Sequence, residues 1–184
     1  FMGALWYATG VYEVFFAFTS YVHYFRYIST YYVRQGIDFG SFKRDVLLFK
    51  SVALLQLFYH YLYPTTAAFE WDWVSVAMIV TGYAVSVMAT DAIGIDRTYF
   101  GAELGYCEPL WIDKFPYGYI PHPMITSQVF ALLGFYKCAH YRQEWPYVVP
   151  IHIAMYLTHM MQEHFDVYQK QPPQQQVQQK EKSY

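Results

Sequence analysis

The chain has 184 residues, of which 55% are hydrophobic and only 14% are charged, against about 25% charged residues in an average globular protein. This composition excludes an intrinsically disordered chain. The net charge of −2 and the isoelectric point near 6.4 provide no basic surface for a phosphate backbone, so nucleic acid is not an expected partner.

Charge is unevenly distributed along the chain, and that distribution predicts membrane helices. The mean hydropathy is only +0.09, but 21 tyrosines lower it although their rings suit bilayer interfaces. Apolar stretches between charge clusters approach the length of about 20 residues that crosses a bilayer. They are residues 2–24, 46–63, 73–89, 124–136 and 147–161. The last two are short, so we expect a tilted hairpin or a thinned bilayer there.

Charged residues and proline bound the second stretch, and the third is the most uniformly apolar. Charged residues 43–45 precede the second stretch and Pro64 follows it, where a helix should stop. Lys50 lies close enough to its end to extend towards the membrane surface. The third stretch opens with Trp73 and contains no charge.

The remaining segments are not apolar. Residues 91–119 mix Gly, Asp, Arg, Glu and Pro with aromatics and have no helical or strand periodicity, which predicts a structured loop at the membrane face. Residues 169–184 are polar and rich in Gln and Pro, which predicts a disordered tail or a partner-binding extension. The sequence therefore predicts an all-α, polytopic transmembrane helical bundle of four to five membrane helices.

The positive-inside rule orients this arrangement. Of the twelve lysines and arginines, nine fall on one side, two on the other, and Lys50 within a stretch. The richer side should face the cytosol, matrix or stroma. The loop at 91–119, the start of the fourth helix and the end of the fifth are predicted to lie on that side.

Two segments before the fourth helix could bind a ligand. In residues 98–105, Gly101 and Gly105 flank Glu103, and glycines let backbone amides approach a ligand closely. Residues 115–124 contain three prolines and a glycine. They are either a rigid helix entrance or a preorganised ligand clamp that presents His122.

A third segment lies at the end of the fifth helix. His159 and Glu163 are four residues apart and share a helix face. Glu163 is either a functional group near the bilayer or a carboxylate solvated at the interface. The seven histidines have no metal-site or haem spacing, so no metal or haem is expected. Cys107 and Cys138 have no CxxC spacing and are expected to be ordinary thiols.

Three motifs in the second half of the chain together resemble the phospholipid N-methyltransferase family, with isoprenylcysteine carboxyl methyltransferase as a distant relative. These integral membrane enzymes methylate phosphatidylethanolamine and its methylated forms with S-adenosylmethionine. The motifs are YFGAELG at 99–105, FPYGYIPHPM at 115–124 and QEHFDVY at 162–168. The resemblance implies that residues 1–168 form a transmembrane methyltransferase-like domain whose loop at one membrane face binds the cofactor.

The resemblance also implies roles for individual residues. His122 and Glu163 are the expected catalytic bases or proton relays. The expected cofactor-binding residues are Tyr99, Gly101, Glu103, Gly105, Tyr117, Pro123, Gln162 and Glu163. In the implied reaction a neutral lipid amine attacks the methyl group of the cofactor in line, and the protein orients the reactants in a dry pocket.

Three positions depart from the family pattern. Pro121 stands where the distant relatives have arginine, Ile125 where tyrosine is usual, and Gln162 where the first of two glutamates is expected. Glutamine keeps an acceptor but loses a charge, and a charge-assisted hydrogen bond is about twice as strong as a neutral one.

These departures support an alternative: a catalytically idle accessory subunit of a large membrane complex, of the mitochondrial inner-membrane respiratory type. Aromatic residues occur on every predicted helix, which suits packing against other membrane subunits, and the tail at 169–184 could lie on a partner. The sequence begins with Phe1, which indicates a removed presequence or a fragment. The resemblance implies the endoplasmic reticulum and membrane lipids as partners, whereas the alternative implies the mitochondrial inner membrane.

Overall fold

A computed structural model of the chain describes residues 22, 25, 29, 38–110, 112–162 and 164. Every regular element in this part is a helix, so the predicted all-α class is confirmed for it. The helices are α1 (Phe39–Leu62), α2 (Trp73–Ile93), α3 (Ile95–Thr98), α4 (Pro123–Lys137), α5 (Ala139–Glu144) and α6 (Val148–Gln162). The predicted tail and, apart from Val22, the predicted first span lie outside the described residues.

Four predicted stretches correspond to α1, α2, α4 and α6, with one large difference in a boundary. Helix α1 begins seven residues before the predicted start because the Asp38 side chain caps it, accepting from the backbone N–H groups of Gly40 and Ser41. The charged residues 43–45, which were expected to precede the helix, therefore form part of it. The segment predicted as a loop contributes the end of α2 and the short helix α3.

Helices α2 and α4 pack closely through small residues. A Cβ atom added to Gly82 would lie 2.5 Å from the Ser127 carbonyl oxygen, and one added to Gly134 would lie 2.9 Å from Ile79. Ser75 Oγ donates to the Gly134 carbonyl oxygen at 2.7 Å. Small residues at a helix contact are typical of membrane helices, where backbones must approach for favourable packing.

One helix in the described part, α2, is long and apolar enough to cross a membrane. Its outer face carries large apolar side chains, with Trp73 72% exposed and Val87 67% exposed. The prediction of four to five spans is not confirmed. Helices α4 and α6 have 15 residues each. Each is therefore about 22 Å long, which is shorter than the hydrocarbon core of about 30 Å. Helix α1 is longer but carries charged residues.

Polar contacts join the elements at one end of the bundle. Lys137 Nζ lies 2.5 Å from Asp72 at the start of α2. The carboxylate of Glu144, at the end of α5, accepts five hydrogen bonds from the loop at residues 65–67. His140 Nε2 lies 2.7 Å from the Tyr61 carbonyl oxygen near the end of α1.

The opposite end of the bundle gathers the segments singled out in the sequence. The helices alternate in direction, so the start of α1, the end of α2, the start of α4 and the end of α6 lie there. Lys43 Nζ of α1 is 2.5 Å from Asp96 of α3. Thr90 Oγ1 near the end of α2 is 3.8 Å from Met124 Sδ at the start of α4. We call this the motif end.

Candidate functional site

The first motif begins with two buried aromatic residues at the motif end. Tyr99 and Phe100 are 8% and 7% exposed and form a cluster with Phe42 and Val46 of α1. Phe100 adopts a positive φ of 65°, which is uncommon for any residue other than glycine. The aromatic pair therefore anchors the loop to α1.

The glycines of this motif have different roles. A Cβ atom on Gly101 would lie 2.6 Å from the Asp96 carbonyl oxygen and 2.9 Å from Cys107 Sγ, so this position requires glycine for packing within the loop. Gly105 is exposed and has a φ of 82°, a conformation that glycine adopts without strain. Glu103, between them, is partly buried. The glycines thus shape the loop, and their predicted cofactor contacts stay predictions.

The end of α6 meets the first motif. The rings of Phe100 and His159 have centroids 5.3 Å apart, and Met155 packs against the aromatic cluster. Both polar atoms of the Gln162 side chain are shielded from solvent and lack a hydrogen-bond partner among the described residues. Buried polar groups are normally hydrogen-bonded, so the Gln162 amide keeps donor and acceptor capacity that the described residues do not use. Glu163 lies outside the described residues.

The second motif enters α4 through a strained residue. His122 has φ 45° and ψ 58°, in the left-handed region, although it precedes a proline that favours extended backbone. Pro123 follows as the first residue of α4. Thr126 fixes the turn, because its N–H donates to the His122 carbonyl oxygen at 2.9 Å and its hydroxyl to that of Pro121 at 2.6 Å. Tyr117, also predicted to bind the cofactor, is partly buried in the loop before this turn.

These two strained residues fall where the sequence indicated function. In the part of the chain that the structure describes, Phe100 and His122 are the non-glycine residues with positive φ, and each belongs to a motif. Such conformations cost of order 1 to 3 kcal/mol and concentrate at ligand-binding sites. His122 is partly exposed at the motif end.

A cavity of about 280 Å³ lies between α1, α2, α4 and α6. This volume is near the lower limit of about 300 Å³ for small-molecule sites. Tyr99 lines it and thereby joins it to the first motif. The remaining lining residues are Leu47, Lys50, Ser51, Ala53, Leu54, Leu57, Tyr83, Ser86, Val87, Thr90, Gln128, Leu132, His152 and Tyr156.

A hydrogen-bonded strip crosses the cavity wall. Gln128 Nε2 of α4 donates to Ser86 Oγ of α2 at 3.2 Å, and the Tyr156 hydroxyl of α6 donates to Gln128 Oε1. His152 Nδ1 is 2.7 Å from the Val148 carbonyl oxygen, which fixes the orientation of its ring. The strip links three helices and gives the cavity a polar surface on one wall.

Lys50 is the main residue of this cavity that the sequence interpretation did not recognise. Because α1 begins at Phe39, Lys50 stands midway along the helix instead of near its end. It lines the cavity, and its Nζ lies 5.7 Å from the centre of the Tyr99 ring. The sequence pattern that could have indicated this position is a single cation, Lys50, followed by Leu54 and Leu57 on the same helix face.

The structure therefore brings together part of the predicted site. Tyr99 and Phe100 contact α1 and the last turns of α6, and Tyr99 alone of the predicted site residues lines the cavity. His122 and Pro123 share the motif end through the start of α4. Comparison with protein-family models, curated proteins and solved structures finds no match to the chain.

Proposed function

We propose that the chain is a membrane-embedded methyltransferase that uses S-adenosylmethionine to methylate the amine headgroup of phosphatidylethanolamine or its methylated forms. The observation that carries the proposal is the contact of the first motif with the last turns of α6, beside a cavity that Tyr99 lines. The first motif thus meets the helix that leads into the third motif, next to a space for an acceptor. The proposal includes further membrane-spanning helices besides α2.

The residues at the motif end suit a polar cofactor. Gln162 has a buried amide that lacks a partner among the described residues, and it is one of the positions that the family resemblance assigns to the cofactor. Tyr99, Gly101, Glu103, Gly105, Tyr117, Pro123 and Glu163 are the other proposed contacts. When bound, S-adenosylmethionine supplies an electrophilic methyl group.

The protein would supply orientation and a base. A lipid amine loses one proton as it becomes methylated, and His122 or Glu163 would accept that proton. The strained turn at His122, fixed by Thr126, holds the backbone that carries the imidazole. The helical walls would exclude water from the acceptor amine.

Equilibrium binding of labelled S-adenosylmethionine to the purified chain in nanodiscs, followed by methyl transfer to phosphatidylethanolamine, tests the proposal. We expect saturable binding, and we expect His122→Ala and Glu163→Ala each to lose methyl transfer while remaining folded. The matched control is His164→Ala, next to Glu163 but outside the proposed site, which should retain transfer. Unchanged turnover in both site variants would overturn these roles.

An accessory subunit is the alternative outcome of that test. Folded protein that binds no S-adenosylmethionine, and that co-migrates with a large membrane complex on a native gel, would favour an idle methyltransferase-like scaffold. An active enzyme should instead be extracted alone in detergent.

A further inference from the structure

Lys50 is a partly buried cation that has no carboxylate partner among the described residues. Among the described residues, Lys43 and Lys137 each form an ion pair at 2.5 Å, whereas Lys50 has no carboxylate within 4.0 Å. Its ammonium group makes a cation–π contact with the Tyr99 ring, with 5.7 Å between Nζ and the ring centre. A cation removed from bulk water without a counter-ion is costly, so an anion in the cavity would compensate it.

The cavity opens through an apolar mouth between α1 and α2. Leu47 of α1 and Val87 of α2 both line it, and they are 45% and 67% exposed, so they stand where it meets the surface. Helix α2 is the candidate membrane span. If α2 crosses the bilayer, the mouth faces hydrocarbon, and a lipid could enter from the side without leaving the membrane.

The interior suits an amphiphilic molecule. Lys50 and the strip formed by Ser86, Gln128 and Tyr156 are polar, whereas Leu54 and Leu57 form an apolar wall. A volume of about 280 Å³ holds a headgroup and the beginning of a hydrocarbon chain. The rest of a lipid would extend through the mouth along the apolar outer face of α2.

We propose that the cavity binds a phospholipid, with the Lys50 ammonium group holding the lipid phosphate. The inference rests on the proposed function for its choice of a phospholipid over other anionic amphiphiles. Lys50 then acts as a positioning residue, since it fixes the phosphate while the adjoining amine extends towards the motif end, where Tyr99 and His122 lie.

Binding of phosphatidylethanolamine to the purified chain in detergent, followed by native mass spectrometry over a lipid titration, tests this inference. Lys50→Met keeps the length and apolar stem of the side chain but removes the charge. We expect it to weaken phosphatidylethanolamine binding by about 10-fold or more, the effect of losing one charge-assisted hydrogen bond. Lys50→Gln, a second neutral variant, should show the same loss, and Lys50→Arg should bind within about 3-fold of the unmodified chain.

The matched control is Lys114→Met, which makes the same substitution at an exposed lysine outside the cavity. It should bind phosphatidylethanolamine like the unmodified chain. Diacylglycerol, which lacks the phosphate, should bind more weakly, and Lys50→Met should not change its binding. Phosphatidylethanolamine bound equally by the unmodified chain and both neutral Lys50 variants would overturn the inference, as would diacylglycerol bound as tightly as the phospholipid.

Two further probes distinguish the source of the anion. Tighter, Lys50-dependent binding of oleate would make this a carboxylate site and contradict the phosphate assignment. Competition by inorganic phosphate at millimolar concentration would indicate a free-phosphate site and contradict the lipid. Binding of S-adenosylmethionine is measured on the same preparations. Failure of the proposed function removes cofactor binding from the unmodified chain, whereas failure of this inference leaves cofactor binding intact and removes only the dependence of lipid binding on Lys50.

Discussion

Glu144 fixes the loop between α1 and α2 to the end of α5, at the end of the bundle opposite the motifs. One carboxylate oxygen accepts from Thr65 N at 2.9 Å and from Thr65 Oγ1 at 3.3 Å. The other accepts from Thr66 N, from Thr66 Oγ1 at 2.9 Å and from Ala67 N at 2.9 Å. The loop between α1 and α2 is thereby fixed to the end of α5.

We predict that Glu144→Gln destabilises the chain by about 2 kcal/mol. Glutamine offers one acceptor oxygen, which can serve the three donors of Thr66 and Ala67, but its NH₂ group then faces the Thr65 N–H. The variant therefore loses the charge and the hydrogen bond from Thr65 N, whereas the Thr65 hydroxyl can turn to accept from the new NH₂ group, and partial solvent exposure limits the loss. For a chain of this size the midpoint of thermal unfolding should fall by about 4 to 8 °C.

The acid dependence of stability provides an independent check. Partial burial acts to raise the pKa of Glu144, but the N–H groups of residues 65–67 outweigh it and lower the pKa to about 2. Because the folded-state pKa lies below the unfolded value of about 4.5, this stabilisation is present above pH 4.5 and is lost as the pH falls towards 2. The difference in unfolding midpoint between the unmodified chain and Glu144→Gln should therefore shrink between pH 5 and pH 3.

Differential scanning fluorimetry in detergent measures both effects. Glu70→Gln is the matched control, since Glu70 is exposed in the same loop and accepts none of these hydrogen bonds. An equal midpoint for the Glu144 and Glu70 variants at pH 7, or a difference that does not change with acid, would refute the reasoning.

Three further variants test the packing and the strained turn. Gly82→Ala should lower the free energy of unfolding by about 1 to 3 kcal/mol, because its Cβ would meet backbone atoms of α4, whereas Gly40→Ala should be neutral or stabilising; denaturant titration compares them. Ser75→Ala should cost about 1 to 2 kcal/mol in the same titration, since the buried Tyr61 hydroxyl loses its acceptor; a cost below 0.5 kcal/mol (about the effect of a surface change) would contradict this. His122→Gly should be more stable than His122→Ala by about 1 kcal/mol, and should therefore unfold at a higher temperature, because glycine adopts a positive φ without strain. Equal unfolding midpoints for the two variants would show that this strain is small.

Much of the helical architecture follows from the sequence. Uninterrupted apolar residues with Trp73 at one end determined α2, and Asp72 before it is a regular helix cap. Pro123 marked the start of α4, since proline suits the first turn of a helix. The alternation of helix direction then placed the first two motifs and the end of α6 at one end of the bundle.

The tertiary structure decided which side chains line the cavity. The hydropathy pattern placed Lys50 near a helix end because it does not detect the Asp38 cap. That cap starts α1 earlier, at Phe39, and so puts Lys50 midway along the helix. Gln128 and Tyr156 meet only when α4 and α6 pack together, and the closeness of α2 and α4 depends on Gly82 facing Ser127. The sequence by itself determined where helices form, because periodicity and caps are local. Which residues face one another across the bundle depends on side-chain packing between segments far apart in the chain, and no local pattern encodes it.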